Sequence, residues 1–518
     1  MAVLTSSFAT SRGDSLALAD DVGRRTWAEL DERVNRAIHA FRAAGIGSGD
    51  TISVVSANSN EWFEIAFACA CSGVTFVPVN WHLVAREIAY IVEDSGSKAL
   101  ICSHQFLDAA AAALESCPGV ELALVTGAPA SGRFESYEEV LAAASPDEPE
   151  NQTFGGPMFY TSGTTGNPKG VRSSLSNMPD GSDPAIWQLV GAGFADLVEG
   201  NGITALCGPF YHSAQWAYSF LPMITGSATV MQHKYDSAAL LAMIDEYQVT
   251  NVHLVPTQMK RLVDLPEDVK ASFDGSSLQL VLHGAAPCPP AVKRAMIEWW
   301  GPVITEYYGS TEGSVITMID SEQWLQKGGS VGPPMPGKEI IVVGEDGTRL
   351  GPNESGTLYF RDAMGMDFEY HNAPGKTADS HLEPGVYTTG DVGYLDEDGY
   401  LWLSDRKIDM IISGGVNIYP AEIEGVLAGH ALVADAAVIG VPNDEFGEEV
   451  KAIVVANDGV AADDALRTAL VAHCRENLAG FKVPRSIDFV DELPRTGTGK
   501  IQKAKLREPY WADRERQI

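Results

Sequence analysis

The sequence has so few basic residues relative to acidic ones that several classes of partner are excluded. Its 518 residues include 36 lysines and arginines against 69 aspartates and glutamates, and the formal net charge is −33 at pH 7. A surface of that charge repels nucleic-acid phosphates and anionic lipids. We therefore expect no nucleic-acid partner. Any site for a polyanion must supply its own cations and backbone N–H groups.

Long apolar runs and patterned cysteines are also missing. Nowhere do 18 apolar residues follow one another, and the N-terminal 20 residues lack the apolar segment of a signal peptide. The seven cysteines are odd in number and fit no zinc-ligand spacing. These absences predict reduced thiols and a cytoplasmic protein without a membrane span.

Two stretches of the sequence show an alternation of helix and strand patterns. Apolar residues recur at helical spacing over residues 26–45, and the β-branched segment Thr51–Ser56 follows. The alternation continues to residue 102 and returns between residues 237 and 300, which favours parallel sheets of the α/β type. From about residue 340 to 403, short strands separated by Gly, Asp and Pro turns predict an antiparallel β region.

A further unit of helices and strands follows this β region. Helical patterns at 421–427 and 465–478 flank strand patterns at 436–440 and 451–457. A chain of 518 residues is also too long for one hydrophobic core. We place the boundary after Arg406, which gives an N-terminal domain of residues 1–406 and a C-terminal domain of residues 407–518.

The strongest local signal is a loop rich in glycines and hydroxyl groups, Tyr160-Thr-Ser-Gly-Thr-Thr-Gly-Asn-Pro-Lys-Gly170. Glycines let backbone N–H groups approach phosphate oxygens, and the hydroxyls and Lys169 add further donors. P-loop NTPases require Gly-Lys-Ser/Thr at the end of such a loop. Here Pro168 precedes the lysine and Gly170 follows it, so the pattern indicates a phosphate-binding loop of another class.

This loop resembles the phosphate-binding signature of the acyl-adenylate-forming superfamily, which contains acyl-CoA synthetases, peptide-synthetase adenylation domains and luciferases. Four more segments resemble its motifs in the same order, at residues 308–312, 389–391, 404–424 and 494–500. The resemblance covers nearly the whole chain and is closest to acyl-CoA synthetases and fatty-acid–CoA ligases. It implies a large N-terminal domain of α/β subdomains plus a distorted β-barrel, and a small mobile C-terminal α+β domain.

The resemblance also implies an ATP site. The residues it assigns to the nucleotide are Thr161, Ser162, Gly163, Thr164, Thr165, Lys169, Gly284, Ala285, Ala286, Pro287, Tyr308, Gly309, Thr311, Asp391 and Arg406. The first six would bind the β- and γ-phosphates, and the next four would line the adenine slot. Tyr308 would stack on adenine, Thr311 would contact the α-phosphate, and Asp391 would accept hydrogen bonds from the ribose hydroxyls. Glu312 would hold Mg²⁺, a cation that prefers oxygen ligands.

Two more residues are implied to take part in the chemistry. Lys500 would bridge the acid's carboxylate and the α-phosphate, two anions that repel each other until a shared cation neutralises them. His212, in Pro209-Phe-Tyr-His212, would lie near the acyl group, although a buried structural histidine is the alternative. Trp216 follows four residues later and either shapes the acyl pocket or packs in the core.

The second step implied by the resemblance is transfer of the acyl group to coenzyme A. Gly414 and Gly415 would line the tunnel for its pantetheine arm. Two departures concern this step: Phe446 stands where tryptophan is frequent, and Ile408 stands at a hinge position that is usually Asp or Lys. The expected function is ATP- and Mg²⁺-dependent ligation of a hydrophobic carboxylic acid to coenzyme A. Transfer to an amine, transfer to a carrier protein and a catalytically silent binding protein remain open.

Overall fold

The computed structural model describes most of the chain. The described residues are 4–161, 168–174, 176, 178–179, 181–195, 202–406, 409–413, 416–443, 446–478, 480–495 and 501–512. Within these ranges we find no helix whose length and apolar character would let it cross a membrane.

The strands of the described residues are numbered in chain order. They are β1 Leu16–Ala19, β2 Arg24–Thr26, β3 Thr51–Val55, β4 Thr75–Val79, β5 Ala99–Ser103, β6 Leu122–Thr126, β7 Glu135–Ser136, β8 Phe159–Thr161, β9 Lys169–Ser173, β10 Ile203–Leu206, β11 Ala228–Met231, β12 Asn251–Leu254, β13 Leu280–His283, β14 Ile304–Ser310, β15 Ser314–Ile319, β16 Lys338–Val343, β17 Gly356–Asp362, β18 Phe368–Tyr370, β19 His381–Glu383, β20 Val386–Tyr387, β21 Asp391–Leu395, β22 Leu401–Arg406, β23 Ile411–Ser413, β24 Val416–Ile418, β25 Val433–Asn443, β26 Gly447–Ala456 and β27 Ser486–Phe489.

The α-helices are numbered in the same way. They are α1 Ser6–Arg12, α2 Trp27–Ala43, α3 Asn60–Ser72, α4 Ala85–Asp94, α5 Leu107–Leu114, α6 Tyr137–Ala143, α7 Ile186–Ala195, α8 Ser213–Ile224, α9 Ser237–Tyr247, α10 Pro256–Val263, α11 Glu267–Ser272, α12 Pro290–Trp300, α13 Ser321–Gln326, α14 Pro374–Asp379, α15 Pro420–Ala428, α16 Asp464–Asn477 and α17 Lys503–Trp511.

Local sequence signals account for the first long helix. The Thr26 side chain accepts a hydrogen bond from the Glu29 N–H, and the Glu29 carboxylate accepts one from the Thr26 N–H, which forms a capping box. The apolar positions of α2, among them Leu30, Val34 and Phe41, are buried in the core. The helix predicted from periodicity is therefore confirmed, and its first turn is fixed by side-chain caps.

Most strands of the first 319 residues belong to two largely parallel sheets. One has five strands in the order β4-β3-β5-β6-β7, all paired in parallel. The other has eight strands in the order β15-β14-β13-β12-β10-β11-β1-β2, with antiparallel pairs at its two edges. All five residues of β3 are buried, and strands covered on both faces read as continuous apolar runs. The predicted α/β arrangement is confirmed here.

The eight-stranded sheet positions the residues that carry the motifs. Its strands β10, β12, β13 and β14 are parallel, so their carboxyl ends lie at one edge. Loops that leave this edge contain His212 after β10, residues 284–287 after β13 and Thr311 after β14. In open α/β sheets such an edge is where ligands bind.

The remaining sheets are mainly antiparallel. One contains β19-β20-β17-β21-β22 with β16 beside β17, and a three-stranded sheet has the order β18-β9-β8. The antiparallel region predicted for residues 340–403 is therefore confirmed. The last sheet has the order β24-β23-β26-β25 with β27 beside β26, and the helices α15 and α16 supply apolar residues to its core.

Candidate active site

The residues expected to bind the nucleoside lie next to each other. The Tyr308 hydroxyl at the end of β14 donates to Asp391 Oδ2 at 2.5 Å, and the Thr389 hydroxyl donates to the same oxygen at 2.7 Å. Across β21 and β22 the backbone of Asp391 is in register with that of Arg406. Three residues from separate motifs are thus brought to one place, where the eight-stranded sheet meets the antiparallel one.

A tyrosine that the sequence did not single out connects the expected metal and phosphate residues. The Tyr370 hydroxyl donates to Glu312 Oε1 at 3.0 Å, and Lys169 Nζ lies 4.7 Å from the centroid of the Tyr370 ring. The ring therefore supports the ammonium by a cation–π contact. Tyr370 belongs to the short strand β18, which pairs with β9, and no motif marks it in the sequence.

The charge state of Lys169 is perturbed by these surroundings. Partial burial lowers the pKa of its ammonium, and repulsion from Lys376 lowers it further, whereas the Glu312 carboxylate acts in the opposite direction. A lysine whose pKa is shifted by burial and by specific neighbouring charges is typical of functional sites. The Lys169 ammonium forms no ion pair among the described residues, which suits a lysine expected to bind phosphate.

His212 begins helix α8 rather than lying within it. Its Nδ1 accepts a hydrogen bond of 3.3 Å from the Ala214 N–H, so the proton of a neutral ring is on Nε2. The next residue, Ser213, hydrogen-bonds through its hydroxyl to that of Thr311 at 2.9 Å. This contact joins the start of α8 to the loop after β14, and it places the half-buried His212 beside the expected nucleotide residues.

Helix α8 has two faces with different surroundings. Ala214 and Tyr218 pack with Leu282 and Tyr307, which directly precede the expected adenine residues. Trp216 is 7% exposed, and its ring centroid lies 5.2 Å from that of Phe220. Of the two roles open to Trp216, the structure supports core packing, because Trp216 is two positions from both Ala214 and Tyr218 in the helix and so lies on the other side of it.

The aromatic group around Trp216 is continuous with the main core. Its ring centroid is 5.7 Å from that of Trp187 and 5.6 Å from that of Phe159. Trp216 and Trp187 also border a small cavity beside the backbone of residues 155–157. These contacts pack this side of α8 against α7 and β8.

A buried polar chain lies behind the Ala214 face. The Gln215 side-chain amide donates to His253 Nδ1 at 2.7 Å, and His253 Nε2 is 2.8 Å from the Tyr307 hydroxyl. Burial lowers the pKa of His253 to about 3, so the ring is neutral. The chain fixes the orientation of Tyr307 without adding a charge.

A buried ion pair lies on the opposite face of strands β13 and β14. Lys293 on α12 donates to Glu306 on β14 at 2.6 Å, and His283 Nε2 lies 3.8 Å from the same carboxylate. Burial lowers the pKa of His283, so this ring is also neutral. Side chains alternate along β14, so Glu306 and Tyr308 share a face while Tyr307 faces α8.

The expected adenine loop depends on a glycine for a reason that the sequence did not show. A Cβ atom at Gly284 would lie 2.7 Å from the carbonyl oxygen and 2.7 Å from the ring of Tyr307. Ala285 follows with a left-handed φ of 69°. The loop therefore runs directly over Tyr307, and its path is set by contact with that residue.

Some expected site residues cannot be placed. Ser162, Gly163, Thr164, Thr165, Gly414, Gly415, Lys500 and the hinge residue Ile408 lie outside the described residues. Thr161 closes β8 and is in register with Lys169 at the start of β9. The two described ends of the glycine-rich loop are thus adjacent strands. The assigned roles of all these residues stay predictions.

The carboxylates near the expected phosphate residues fit a magnesium ion that is held mainly by phosphates. Within the described ranges, no three His, Cys, Asp or Glu side chains cluster as ligands for a metal ion. Mg²⁺ in nucleotide sites needs only one or two protein carboxylates, because phosphates and water supply the rest. Glu312, held by the Tyr370 hydroxyl, provides such a carboxylate.

Comparison with known proteins gives matches over nearly the whole chain. The family model described as AMP-binding enzyme matches residues 6–367, and that of the AMP-binding enzyme C-terminal domain matches residues 422–500. The feruloyl-CoA synthase of Amycolatopsis sp is 34% identical over 491 residues, 94% of this chain and 94% of that protein.

Two solved structures are similar in fold and sequence. The anthranilate CoA ligase AuaEII, in complex with anthranoyl-AMP, has a TM-score of 0.89 and 25% identity, covering 99% of this chain and 97% of that one. The amide bond synthetase McbA of Marinactinospora thermotolerans has a TM-score of 0.83 and 28% identity, with 98% and 100% covered. These matches confirm the predicted fold class. The boundary after residue 406 stays a prediction, because neither family model covers residues 368–421.

Proposed function

We propose that this chain, which belongs to the family of AMP-binding enzymes, activates a hydrophobic carboxylic acid with ATP and transfers the acyl group to coenzyme A. Family membership itself makes the chain an ATP-dependent, AMP-forming ligase of carboxylic acids. The predicted use of ATP, Mg²⁺ and coenzyme A agrees with the acyl-CoA ligases of this family. The nature of the acid and of the final acceptor belongs to the proposal.

The observation that carries the proposal is the proximity of the nucleoside and phosphate residues. Tyr308 is bonded to Asp391, and only four residues later Glu312 is bonded to the tyrosine that supports Lys169. One short segment, from Tyr308 to Glu312, therefore joins a ribose-binding carboxylate to a metal-binding carboxylate. This arrangement suits a nucleoside triphosphate that lies along the segment.

In the first step an oxygen of the acid attacks the α-phosphorus of ATP. A bond forms between that oxygen and phosphorus, the bond from phosphorus to the bridging oxygen breaks, and pyrophosphate leaves with its electrons. Lys500 would neutralise the two anions as they approach, and Lys169 would hold the departing phosphates. Glu312 would hold Mg²⁺, which would supply further positive charge to those phosphates. Asp391 and Tyr308 keep the nucleoside in place, so the α-phosphate is presented at a fixed position.

In the second step the thiol of coenzyme A loses its proton and its sulfur forms a bond to the acyl carbonyl carbon. The bond from that carbon to the phosphate oxygen breaks, and AMP leaves with the oxygen that came from the acid. His212, at the start of α8, would contact the acyl group during this step. Gly414 and Gly415, which lie outside the described residues, would leave room for the pantetheine arm. The reaction releases AMP and pyrophosphate and forms one thioester.

The apolar wall beside the nucleotide residues supports a hydrophobic acid. Leu282, Tyr307 and Tyr218 are buried there, and Val315 and Met318 pack against them. Burial keeps His253 behind the wall neutral, so this ring offers no positive charge to pair with a second carboxylate of the acid. Two of the similar proteins are named for acids with an aromatic ring, ferulate and anthranilate.

A second candidate function is transfer of the acyl group to an amine, which would form an amide. The fold similarity to an amide bond synthetase favours it, and so does the isoleucine at the hinge position. Phe446 is described, and the Arg485 guanidinium lies 4.5 Å from its ring centroid. The position keeps an aromatic ring, with a cation packed against it, and this contact by itself favours neither acceptor.

The test separates the two acceptors. A panel of acids is incubated with ATP and Mg²⁺, first with coenzyme A alone and then with a panel of amines alone, and products are identified by mass. We expect thioester at rates well above amide. Amide formation that exceeds thioester formation would replace the first candidate by the second and leave the activation step intact.

A further inference from the structure

We propose that Lys376 is a second lysine of the ATP site, which binds the β- and γ-phosphates together with Lys169 and holds pyrophosphate as it leaves. Lys376 lies outside every motif of the sequence and was not among the residues expected to bind ATP. The inference rests on the proposed function, because it assigns Lys376 to the activation step.

The backbone around Lys376 is tied to the strand that carries Lys169. Strand β18 pairs with β9, and the His371 N–H donates to the carbonyl oxygen of Gly170 at 2.8 Å. Helix α14 begins four residues after β18 ends, and the Tyr370 N–H donates to the Thr377 hydroxyl at 2.9 Å. The residue next to Lys376 in the chain is therefore bonded to the tyrosine whose ring supports Lys169.

A second set of contacts fixes the turn between β18 and α14. The carbonyl oxygen of Asp94 is 2.9 Å from His371 Nε2 and accepts a hydrogen bond from the Asn372 amide at 3.0 Å. The Asp94 carboxylate in turn accepts from the Tyr160 hydroxyl at 2.6 Å. Tyr160 lies in β8, beside the glycine-rich loop. The turn that precedes Lys376 is thus bonded directly to β9, through Gly170, and indirectly to β8, through Asp94.

Neither of the two lysines forms an ion pair with a carboxylate among the described residues. Lys376 is exposed and makes no ion pair with a carboxylate in the part of the chain that is described. The ammonium groups of Lys376 and Lys169 are close enough that their repulsion contributes to the lowered pKa of Lys169. A chain with a net charge of −33 has many acidic side chains, yet none pairs with Lys376 in the described ranges.

Two adjacent cations of this kind are stabilised by a polyanion. Like charges in proximity each disfavour the protonated form of the other, and a bound anion reverses that effect. The β- and γ-phosphates carry most of the charge of ATP, and lysine binds phosphate as a compact point charge with three donors. The geometry therefore assigns Lys376 to the pyrophosphate portion of ATP, away from the nucleoside residues Tyr308 and Asp391.

The experiment compares ligands that contain these phosphates with one that lacks them. Binding of Mg²⁺–ATP, Mg²⁺–pyrophosphate and AMP is measured by calorimetry for the wild type, Lys376→Gln, Lys376→Arg and the control Lys234→Gln. Lys234 is also exposed, with no ion pair in the described residues, and lies after β11. We expect Lys376→Gln to weaken ATP and pyrophosphate binding by about 3- to 10-fold, the scale of a charged hydrogen bond at an exposed position.

AMP binding should stay within about twofold in every variant, and Lys376→Arg should keep most of the affinity for pyrophosphate. Lys376→Gln should also move the loss of ATP binding at high pH to a higher pH, because the pKa of Lys169 rises when its neighbour is neutral. Pyrophosphate affinity equal to wild type in Lys376→Gln would overturn the inference. Equal weakening of AMP and pyrophosphate would also overturn it, because a structural role has that effect.

Failure of this inference differs from failure of the proposed function. If the wild type makes acyl-AMP and Lys376→Gln binds pyrophosphate normally, only the role of Lys376 is refuted. If the wild type binds Mg²⁺–ATP but no acid releases pyrophosphate, the proposed function is refuted whatever Lys376 does.

Discussion

Replacement of Trp216 by alanine separates the two faces of α8. The side chain is 7% exposed and its ring lies within 6 Å of those of Trp187, Phe220 and Phe159. Trp→Ala changes in a core cost about 3–5 kcal/mol in the free energy of unfolding. A cavity already borders the ring, and the neighbouring residues 155–157 are glycine and proline backbone, so collapse is limited. We therefore expect a cost near the upper end of this range.

The measurement is thermal unfolding followed by tryptophan fluorescence, with acid preference measured by pyrophosphate release below the transition. The variant should unfold about 5 °C below the wild type, because the unfolding entropy of a domain of about 400 residues is large. Its ranking of acids by kcat/KM should be unchanged. Trp216→Phe is the matched control, because it retains a ring and should lose much less stability.

A substitution on the Ala214 face of α8 should change the acid preference and leave the stability nearly unchanged. Ala214 packs with Tyr218 and Tyr307, so Ala214→Leu should disfavour bulky acids relative to small ones and have little effect on stability. A stable Trp216→Ala variant with an altered ranking of acids would refute this division of the helix. Trp216 would then line the acyl pocket.

Four further predictions concern the chemistry and the hinge. Lys500→Ala should abolish formation of acyl-AMP but spare transfer from pre-made acyl-AMP, and unimpaired activation would contradict its role. Glu312→Gln should slow activation by on the order of 10²-fold and weaken the dependence on Mg²⁺, which a titration with the metal checks. Burial and Lys376 lower the pKa of Lys169, so the affinity for ATP should fall as pH rises through that lowered value. A flat profile of KM for ATP up to the pKa of a free lysine would contradict this. Ile408→Asp should leave or raise the thioester rate and spare activation, and a slower thioester step would show that the isoleucine assists the hinge.

The sequence predicted those parts of the fold and site that follow from local pattern. Helical spacing located α2, and the alternation of helix and strand patterns predicted parallel sheets, at whose strand ends residues 284–287 and Thr311 are found. A spacing of four residues did not predict the surroundings of Trp216, because the helix begins after the cap at His212. The side of α8 on which a residue lies depends on where the helix starts.

Contacts between distant segments were the main features that the sequence did not predict. Tyr370 lies 58 residues after Glu312 in the chain, and its hydroxyl reaches that carboxylate only because β18 pairs with β9. Gly284 is required by the ring and carbonyl oxygen of Tyr307, which belong to a neighbouring strand. Neither periodicity nor motif spacing contains this information, because strand order in the sheets is not a local property.

The central claim is that an oxygen of the acid attacks the α-phosphorus of ATP, and isotope transfer tests it most directly. An acid that supports pyrophosphate release is labelled with ¹⁸O in its carboxylate and incubated with the enzyme, ATP, Mg²⁺ and coenzyme A. Mass spectrometry should find one ¹⁸O atom in each AMP formed and none in pyrophosphate. Unlabelled AMP, or label in inorganic phosphate formed together with ADP, would contradict the account.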